Sequence, residues 1–427
     1  MLSHFGQPVL PSCWSPISRE ALRLWRGILE PSSAHSDKFE NKNVSVRMGL
    51  QLTLSFAAFR SCAFAAFIAA AHAKRYICEE RKCIFEGWQA LPAQNVGANP
   101  PANATKRNKT KRERRFMNTA AIVLAAGEGS RMKSKHSKVT HCILEKPLVR
   151  WVVDAAKQAG VEEVITVVGH GRAEVEPLVS DTVTVVQEQQ LGTANAVSVC
   201  KEALADFDGS LLVLTGDSPL VTADTLRALV QKREESQAAV VVLTMVVDDP
   251  FGYGRIVRDA QGNVERIVEQ KDATPEQQAI TECNSGFYCF DAKALFSALE
   301  QVKSNNSQGE YYLTDVLEIA REAGRAVLAQ VVEDPTECLG VNTRVQLAQA
   351  AKKMQQRINT AHMLAGVTMV DPDQVWVSPE TTIGMDTVIY PGVTLLGKCA
   401  IGQDCVLGSN CHLRDAQLED GTERFAS

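Results

Sequence analysis

The run Leu124-Ala125-Ala126-Gly127-Glu128-Gly129-Ser130-Arg131-Met132, with Lys138 six residues further on, places two glycines beside two permanent cations. Those residue types suit a polyphosphate. Glycines let backbone N–H groups approach phosphate oxygens, while Arg and Lys supply full charges. The preceding run Ala120–Gly127 is apolar and strand-like, so the loop is expected at a strand-to-helix turn, where a helix N-terminus would add partial positive charge. Two better-known phosphate motifs are excluded. The third glycine of a dinucleotide fingerprint would fall at Met132, and no Gly-Lys-Ser/Thr follows for a Walker loop. An ordinary glycine turn with surface charges is the bland alternative, weakened by the company of both Arg131 and Lys138. A second chemical signal is Asp217, at the end of the apolar run Leu211–Asp217. An unpaired carboxylate there would be costly, so it reads either as a metal ligand or as a helix N-cap.

The elements that must position these residues alternate. Short apolar runs at Val161–Gly169, Thr182–Val186 and Leu211–Asp217 are separated by helix-like stretches such as Thr193–Ala205. Strands alternating with helices predict an α/β, Rossmann-like domain with a mostly parallel sheet. Ala348–Ala361 is rich in strong helix formers and predicts a connecting helix. Beyond it, Val377, Ile383, Ile389, Leu395, Ile401, Leu407 and Leu413 recur every six residues. Each is followed four residues later by Thr381, Thr387, Val393, Cys399, Cys405, Cys411 and Gln417. That is the hexapeptide pattern of a parallel β-helix, here little more than two coils, with Gly384, Gly402 and Gly408 expected at its tight corners.

Residues 1–116 lack this alternation. Gly49–Ala73 is long enough to span a bilayer, but it is mostly Ala and Phe, and central Arg60 costs roughly 2.5–3.5 kcal/mol on insertion scales. It also lies too far from the N-terminus for an ordinary signal peptide. A membrane anchor is therefore disfavoured. Lys106–Arg115 holds seven Lys/Arg and one Glu and reads as a solvated tether rather than a nucleic-acid patch. Met117, directly before the first strand, suggests that folding starts there and that residues 1–116 stand outside the mature fold. The expected domains are a leader over 1–116, an α/β domain carrying the phosphate-type loop over 117–346, a linker helix over 347–365 and a β-helix over 366–427. A net charge of −5 argues against a general nucleic-acid binder. Twelve cysteines without a CxxC pair or zinc-type spacing point to a reduced, cytoplasmic compartment.

The L-x-x-G-x-G-S-R-M loop with its lysine resembles the nucleoside-triphosphate loop of sugar-nucleotide pyrophosphorylases, and further landmarks follow in that family's order. They are Gln187-Glu-Gln-Gln-Leu-Gly-Thr193, Leu214-Thr-Gly-Asp217-Ser-Pro219, Gly252-Tyr-Gly-Arg-Ile256, Val268-Glu-Gln-Lys-Asp272, Asn284-Ser-Gly286, Gly309-Glu-Tyr-Tyr-Leu-Thr-Asp315 and Gly340-Val-Asn-Thr-Arg344. Over roughly residues 119–418 the chain is similar to the bacterial N-acetylglucosamine-1-phosphate uridyltransferase family, which also carries a left-handed hexapeptide β-helix. The resemblance implies a magnesium-dependent transfer of UMP from UTP to N-acetylglucosamine 1-phosphate, releasing pyrophosphate for cell-wall precursor synthesis. It implies Arg131 and Lys138 as catalytic cations. Leu124, Ala125, Ala126, Gly127, Gly129, Gln187, Gly192 and Thr193 would bind UTP. Gly254, Glu269, Asn284 and Asn342 would bind the sugar phosphate, and Asp217 with Asn342 would hold Mg²⁺, an ion suited to hard oxygen donors. Gln187 offers both a donor and an acceptor to a uracil edge.

Three departures matter. Ser130 stands where Thr is usual. Ser137 replaces the Pro that normally precedes the lysine, and is expected to loosen the loop holding Lys138. Asn195 occupies a position where His is common, putting a helix-face contact in doubt. The family's acetyl-transfer site lies in later coils, so acetyl transfer is expected to be absent. The family's trimeric β-helix implies a homotrimer. The competing readings are another sugar-1-phosphate nucleotidyltransferase and a non-catalytic regulatory or assembly relative. The second is disfavoured by the presence of Arg131, Lys138, Asp217 and Asn342.

Overall fold

The computed structural model describes residues 118–426. Gly49–Ala73, Lys106–Arg115 and Met117, and with them the expectations for a leader, lie outside those residues. Among the described residues no helix is long and apolar enough to cross a membrane.

The first lobe is built on a nine-stranded sheet. Its strands are β1 (Thr119–Ala125), β4 (Glu163–Val168), β5 (Val183–Val186), β6 (Ser210–Thr215), β7 (Val240–Val246), β8 (Arg255–Arg258), β9 (Val264–Val268), β10 (Glu282–Asp291) and β11 (Val327–Val331). A short hairpin of β2 (Cys142–Ile143) and β3 (Lys146–Pro147) stands apart. The sheet runs β11-β7-β10-β6-β1-β4-β5, with β8 and β9 attached through β10. It is mostly parallel, as expected, and β10 runs antiparallel to both β6 and β7.

β1 shows why such strands read as unbroken apolar runs. Ala121, Val123 and Ala125 enter one core, while Ala120 and Ile122 enter the core on the opposite face. With helices covering both faces, both side-chain sets must be apolar.

Chain order and strand order diverge beside β1. The chain passes from β1 to β4 and β5 on one side, then crosses back to pair β6 along the other edge of β1. That reversal opens a crevice at the carboxyl ends of β1 and β6, the place where open α/β sheets take ligands.

The loop after β1 departs from expectation. It leads into two short 3-10 turns, Ser130–Met132 and Lys138–Thr140, and the next α-helix starts only at Leu148. Among the described residues the Gly127 loop does not itself open an α-helix, and the full positive charges beside it are those of Arg131 and Lys138. The helix expected over Thr193–Ala205 is also shorter, ending at Ser198 before a series of turns.

The helix Arg344–Leu364 joins the two lobes. Thr343 caps it by accepting the Gln346 N–H at 3.2 Å, which satisfies a free amide of the first turn. Ala350 and Met354 pack with Met132, Ile143, Leu148, Leu220 and Val341 of the first lobe. Ile358 and Met363 pack against the β-helix core. Two fully buried amides, Gln355 and Asn359, face the first coil. Asn359 Nδ2 donates to the carbonyls of Pro372 and Val375, both at 2.8 Å, and Gln355 Nε2 donates to the carbonyls of Asp373 and Val375. The helix is therefore a docked strut, with two buried side-chain amides hydrogen-bonded to the backbone of the first coil.

In the second lobe, parallel strands stack in three ladders. One holds Thr368–Met369, Val388–Ile389, Val406–Leu407 and Glu423–Arg424. The others hold Trp376–Val377, Thr394–Leu396 and His412–Arg414, and Thr382–Ile383, Ala400–Ile401 and Gln417–Leu418. The six-residue series points inward as read, through Val377, Ile389, Leu395, Ile401 and Leu407, with Val393, Cys399, Cys405 and Cys411 filling the positions between.

Two details differ from the sequence reading. Left-handed backbone at the corners falls to Asp386, Asp404, Asn410 and Asp415 and to Gly392 and Gly397, not to Gly384, Gly402 or Gly408. Gly384 and Gly402 are needed for stacking, since a Cβ on Gly384 would lie 2.6 Å from the Gly402 backbone. The repeat also shortens by one residue at Asp415. Ile401 pairs with Leu418 rather than with the residue eighteen further on, Ala416 turns toward the core, and Gln417 is exposed.

Candidate active site

At the crevice, β1 and β6 present their ends together. The Gly216 N–H donates to the Leu124 carbonyl at 2.9 Å, and a Cβ on Gly216 would stand 2.8 Å from that oxygen. The cleft beside this contact encloses about 310 Å³ and is lined by Leu124, Ala125, Ala126, Gly127, Lys138, Gln187, Gly192, Thr193 and Asp217 among the residues named from sequence. Val139, Gln190, Ala196, Thr215 and Glu310 complete it. Gln190, Thr215 and Glu310 sit inside motifs already recognised, and that neighbourhood was the only signal available for them.

Gly129 does not line the cleft. Its φ is +68°, and a Cβ there would fall 2.5 Å from Lys138 Cβ, so its absent side chain is what lets the lysine cross the loop.

Four polar groups converge at the cleft edge. Lys138 Nζ contacts an Asp217 carboxylate oxygen and donates to Asn342 Oδ1 at 2.9 Å. Arg131 Nη2 donates to the same Asn342 oxygen, also at 2.9 Å. Asn342 is brought here by its predecessor, whose N–H (Val341) donates to the Asp217 carbonyl at 2.9 Å. Asp217 caps no helix, because the next one, Ala223–Ser236, is capped by Thr222. Its N-cap reading is thereby removed.

Among the described residues no group of three or more His, Cys, Asp or Glu gathers to hold a metal. Asp217 and Asn342 offer two hard oxygens that already converge on one ammonium, and so fit an ion that keeps several waters or substrate phosphates in its shell.

Ser137, before the lysine, is held without proline. Its φ of −56° is a proline value, its N–H donates to Glu174 Oε2 at 3.3 Å, and its carbonyl accepts the Thr140 hydroxyl at 2.8 Å. Its own hydroxyl is buried without a partner. A buried hydroxyl left unpaired costs about 1–3 kcal/mol. Ser137→Ala is therefore expected to stabilise the protein by about 1 kcal/mol, raising the thermal midpoint by about 2–4 °C. A lower midpoint in a scanning melt would contradict this.

On the far side of the cleft, Gln187 is buried. Its Nε2 donates to the Gly192 carbonyl at 3.2 Å and to Asn195 Oδ1 at 2.8 Å. Both amide hydrogens are thus engaged, and the carbonyl oxygen is what Gln187 can offer a ligand. Asn195, where a helix-face contact was in doubt, orients Gln187. Gly192 has φ +115°, and a Cβ there would lie 2.5 Å from the Tyr311 carbonyl. The Thr193 hydroxyl accepts the Leu313 N–H at 3.0 Å. The Gly309–Asp315 motif therefore serves as the wall against which Gly192 and Thr193 are set.

Gly254, Glu269 and Asn284 form a second group. The Asn284 N–H donates to the Gly254 carbonyl at 2.8 Å, and a Cβ on Gly254 would lie 3.4 Å from both Glu269 carboxylate oxygens. A register shift in β10 between Asn284 and Tyr288 bends the strand there, as bulges do. Gly286, at φ +82°, rests against Thr215, joining this group to the end of β6. The Asn284 amide is partly spent: Nδ2 donates to the Tyr288 hydroxyl at 2.7 Å, and Oδ1 accepts the Gly286 N–H at 3.1 Å.

Burial, more than the nearby Asp272 and Asp315 carboxylates, pushes the Glu269 carboxyl upward, with Arg255 opposing. Arg255, which lies inside the Gly252–Ile256 motif but carries no role in the sequence analysis, is itself 1% exposed. It contacts the Tyr253 carbonyl and donates to Gln270 Oε1 at 2.8 Å, the atom that also accepts the Gly252 N–H at 3.0 Å. It thus braces the Gly252–Gly254 loop.

The doubly wound sheet, the glycine loop at its switch point and the stacked hexapeptide coils define a nucleotidyltransferase joined to a β-helix. Family comparison agrees. The MobA-like NTP transferase domain matches residues 121–312, and the bacterial transferase hexapeptide (six repeats) matches 380–415. Curated relatives include the bifunctional protein GlmU of Halalkalibacterium halodurans, 50% identical over 71% of this chain and 67% of its own length. The GlmU of a Geobacillus species is 50% identical over 71% and 66%, and that of Listeria innocua 51% identical over 69% and 64%. The chain belongs to the GlmU family, and it spans about two thirds of the length of these relatives.

Proposed function

We propose that the chain is a UDP-N-acetylglucosamine pyrophosphorylase, using Mg²⁺, UTP and N-acetylglucosamine 1-phosphate. The observation that carries this reading is the convergence of Arg131, Lys138, Asp217 and Asn342 at the edge of the cleft that Gln187 faces. In this reading the phosphate oxygen of the sugar phosphate attacks the α-phosphorus of UTP in line. The new P–O bond forms as the bond to the β-phosphate oxygen breaks, and pyrophosphate leaves with that electron pair. No covalent enzyme intermediate is needed, so the protein's work is positioning and charge neutralisation.

Arg131 and Lys138 neutralise the α-phosphate and the departing pyrophosphate. The Gln187 carbonyl accepts the uracil N3–H. Glu269 accepts sugar hydroxyls, with Gly254 and Asn284 beside it. Mg²⁺ held by Asp217 and Asn342 would supply Lewis-acid stabilisation of phosphate charge.

The test is pyrophosphate release by the full chain with UTP, N-acetylglucosamine 1-phosphate and Mg²⁺. Release is expected only with both substrates. Absence of release from a protein that melts cooperatively would favour a non-catalytic relative instead.

The Glu269 assignment makes its own prediction. Hydroxyl donors need the carboxylate, so KM for the sugar phosphate should fall as pH rises through the raised Glu269 pKa. Loss of a charged hydrogen-bond acceptor costs about 1.5–3 kcal/mol. Glu269→Gln should therefore raise that KM by about tenfold or more, leave kcat nearly unchanged and flatten the pH dependence. A KM equal to wild type would remove Glu269 from the site.

We further propose a homotrimer assembled through the β-helix, where Val370, Met385, Tyr390 and Phe425 are exposed. A reducing, cytoplasmic setting is supported by the free thiols of all eight cysteines among the described residues.

A further inference from the structure

The same two oxygens that suit a metal are held by a lysine. Lys138 Nζ reaches both the Asp217 carboxylate and Asn342 Oδ1, and Arg131 adds a second cation on that amide oxygen. The arrangement is built rather than incidental. The Lys138 and Asp217 side chains are only 14% and 17% exposed, so water dilutes their attraction little. Gly129 leaves the gap through which the lysine passes, and the Val341 N–H ties the Asn342 segment to Asp217. Two donated hydrogen bonds also fix the Asn342 amide with its oxygen toward the cluster, the orientation a cation requires.

A divalent ion approaching Asp217 would meet a carboxylate already neutralised and two like charges a few ångströms away. A nucleoside triphosphate reverses that balance. Its phosphates attract Lys138 and Arg131, freeing Asp217 and Asn342 while adding oxygen ligands of their own.

We infer that Lys138 is an internal counter-ion that competes with the divalent metal for Asp217 and Asn342. Metal then enters with the nucleotide rather than residing in the protein beforehand. The inference rests on the pyrophosphorylase reading and adds to it an order of assembly. It also gives Lys138 two successive partners, the Asp217 carboxylate before nucleotide binds and the phosphates afterwards. Linkage makes the coupling reciprocal: whatever weakens the lysine's hold on Asp217 must strengthen the metal's.

The test is Mn²⁺ binding to the full chain without nucleotide, followed by the electron paramagnetic resonance of free Mn²⁺. Lys138→Gln should bind Mn²⁺ at least tenfold more tightly than wild type, and Lys138→Gln with Asp217→Asn should lose that gain. Equal affinities for wild type and Lys138→Gln, or a tight site that survives Asp217→Asn, would overturn the inference. A thermal melt checks folding, and Lys138→Met serves as the second variant. Pyrophosphate release by wild type is measured on the same preparation. Release with equal Mn²⁺ affinities sinks the competition alone. No release and no Mn²⁺ site in any variant sinks the pyrophosphorylase reading with it.

Discussion

Asp217→Ala is expected to lower kcat/KM for pyrophosphate release by on the order of a thousandfold, the upper range for losing one transition-state stabilising group. Asp217 is the carboxylate of the cluster. Removing it leaves Lys138 and Arg131 sharing the single Asn342 oxygen and takes away the anionic half of the proposed metal pair. The fold should survive, because Asp217 lies just past the end of β6 and its backbone carbonyl, which accepts the Val341 N–H, is retained in alanine. Asp217→Asn should lose nearly as much, since an amide keeps the shape and discards the charge. Steady-state pyrophosphate assays alongside thermal melts decide it. Activity within tenfold of wild type in a folded Asp217→Ala protein would remove the metal role.

Gly129→Ala should lose about a hundredfold in kcat without touching any substrate contact. Two effects coincide at this position. The left-handed backbone at φ +68° costs a residue with a side chain about 1–2 kcal/mol, and the new methyl would stand 2.5 Å from Lys138 Cβ. The lysine must move, and about 1 Å of misplacement is enough to cost on the order of a hundredfold. Gly262→Ala is the control, with φ +84° but open space around its Cβ. It shares the backbone penalty and lacks the collision, so its kcat should match wild type. If Gly129→Ala matches Gly262→Ala in kcat, the packing of Gly129 against Lys138 has no catalytic consequence.

Much of the fold was legible because its signals are local. A strand buried on both faces must be apolar at every position, so β1 and β6 could be found without knowing their neighbours. The six-residue cycle could be read likewise, because each inward residue meets its counterpart one coil away. The helix Arg344–Leu364 was legible from composition, but its purpose was not. Gln355 and Asn359 look like solvent-facing residues until the first coil's carbonyls are set against them. The glycines of the β-helix misled for a related reason. In sequence a glycine suggests a positive φ, whereas Gly384 and Gly402 answer to the backbone of the adjacent coil. The shortening at Asp415 was hidden because the spacing up to Leu413 is unbroken.

The candidate site divides in the same way. Sequence alone determined the inventory: a glycine loop with Arg131 and Lys138, an aspartate ending a buried strand, and motifs whose order identified the family. Their types and near-neighbour spacing are enough for that, since propensity and patterning act over a few residues. Only the tertiary structure decided the assembly. The crossover that sets β6 beside β1 brings Asp217 to the Gly127 loop, and one backbone hydrogen bond from Val341 carries Asn342 to Asp217. Gln187 is oriented by Asn195, and Lys138 is threaded past Gly129 onto the carboxylate. Contacts between residues distant along the chain depend on which strands pair and which faces pack. That choice belongs to the whole core, and no short stretch of sequence contains it.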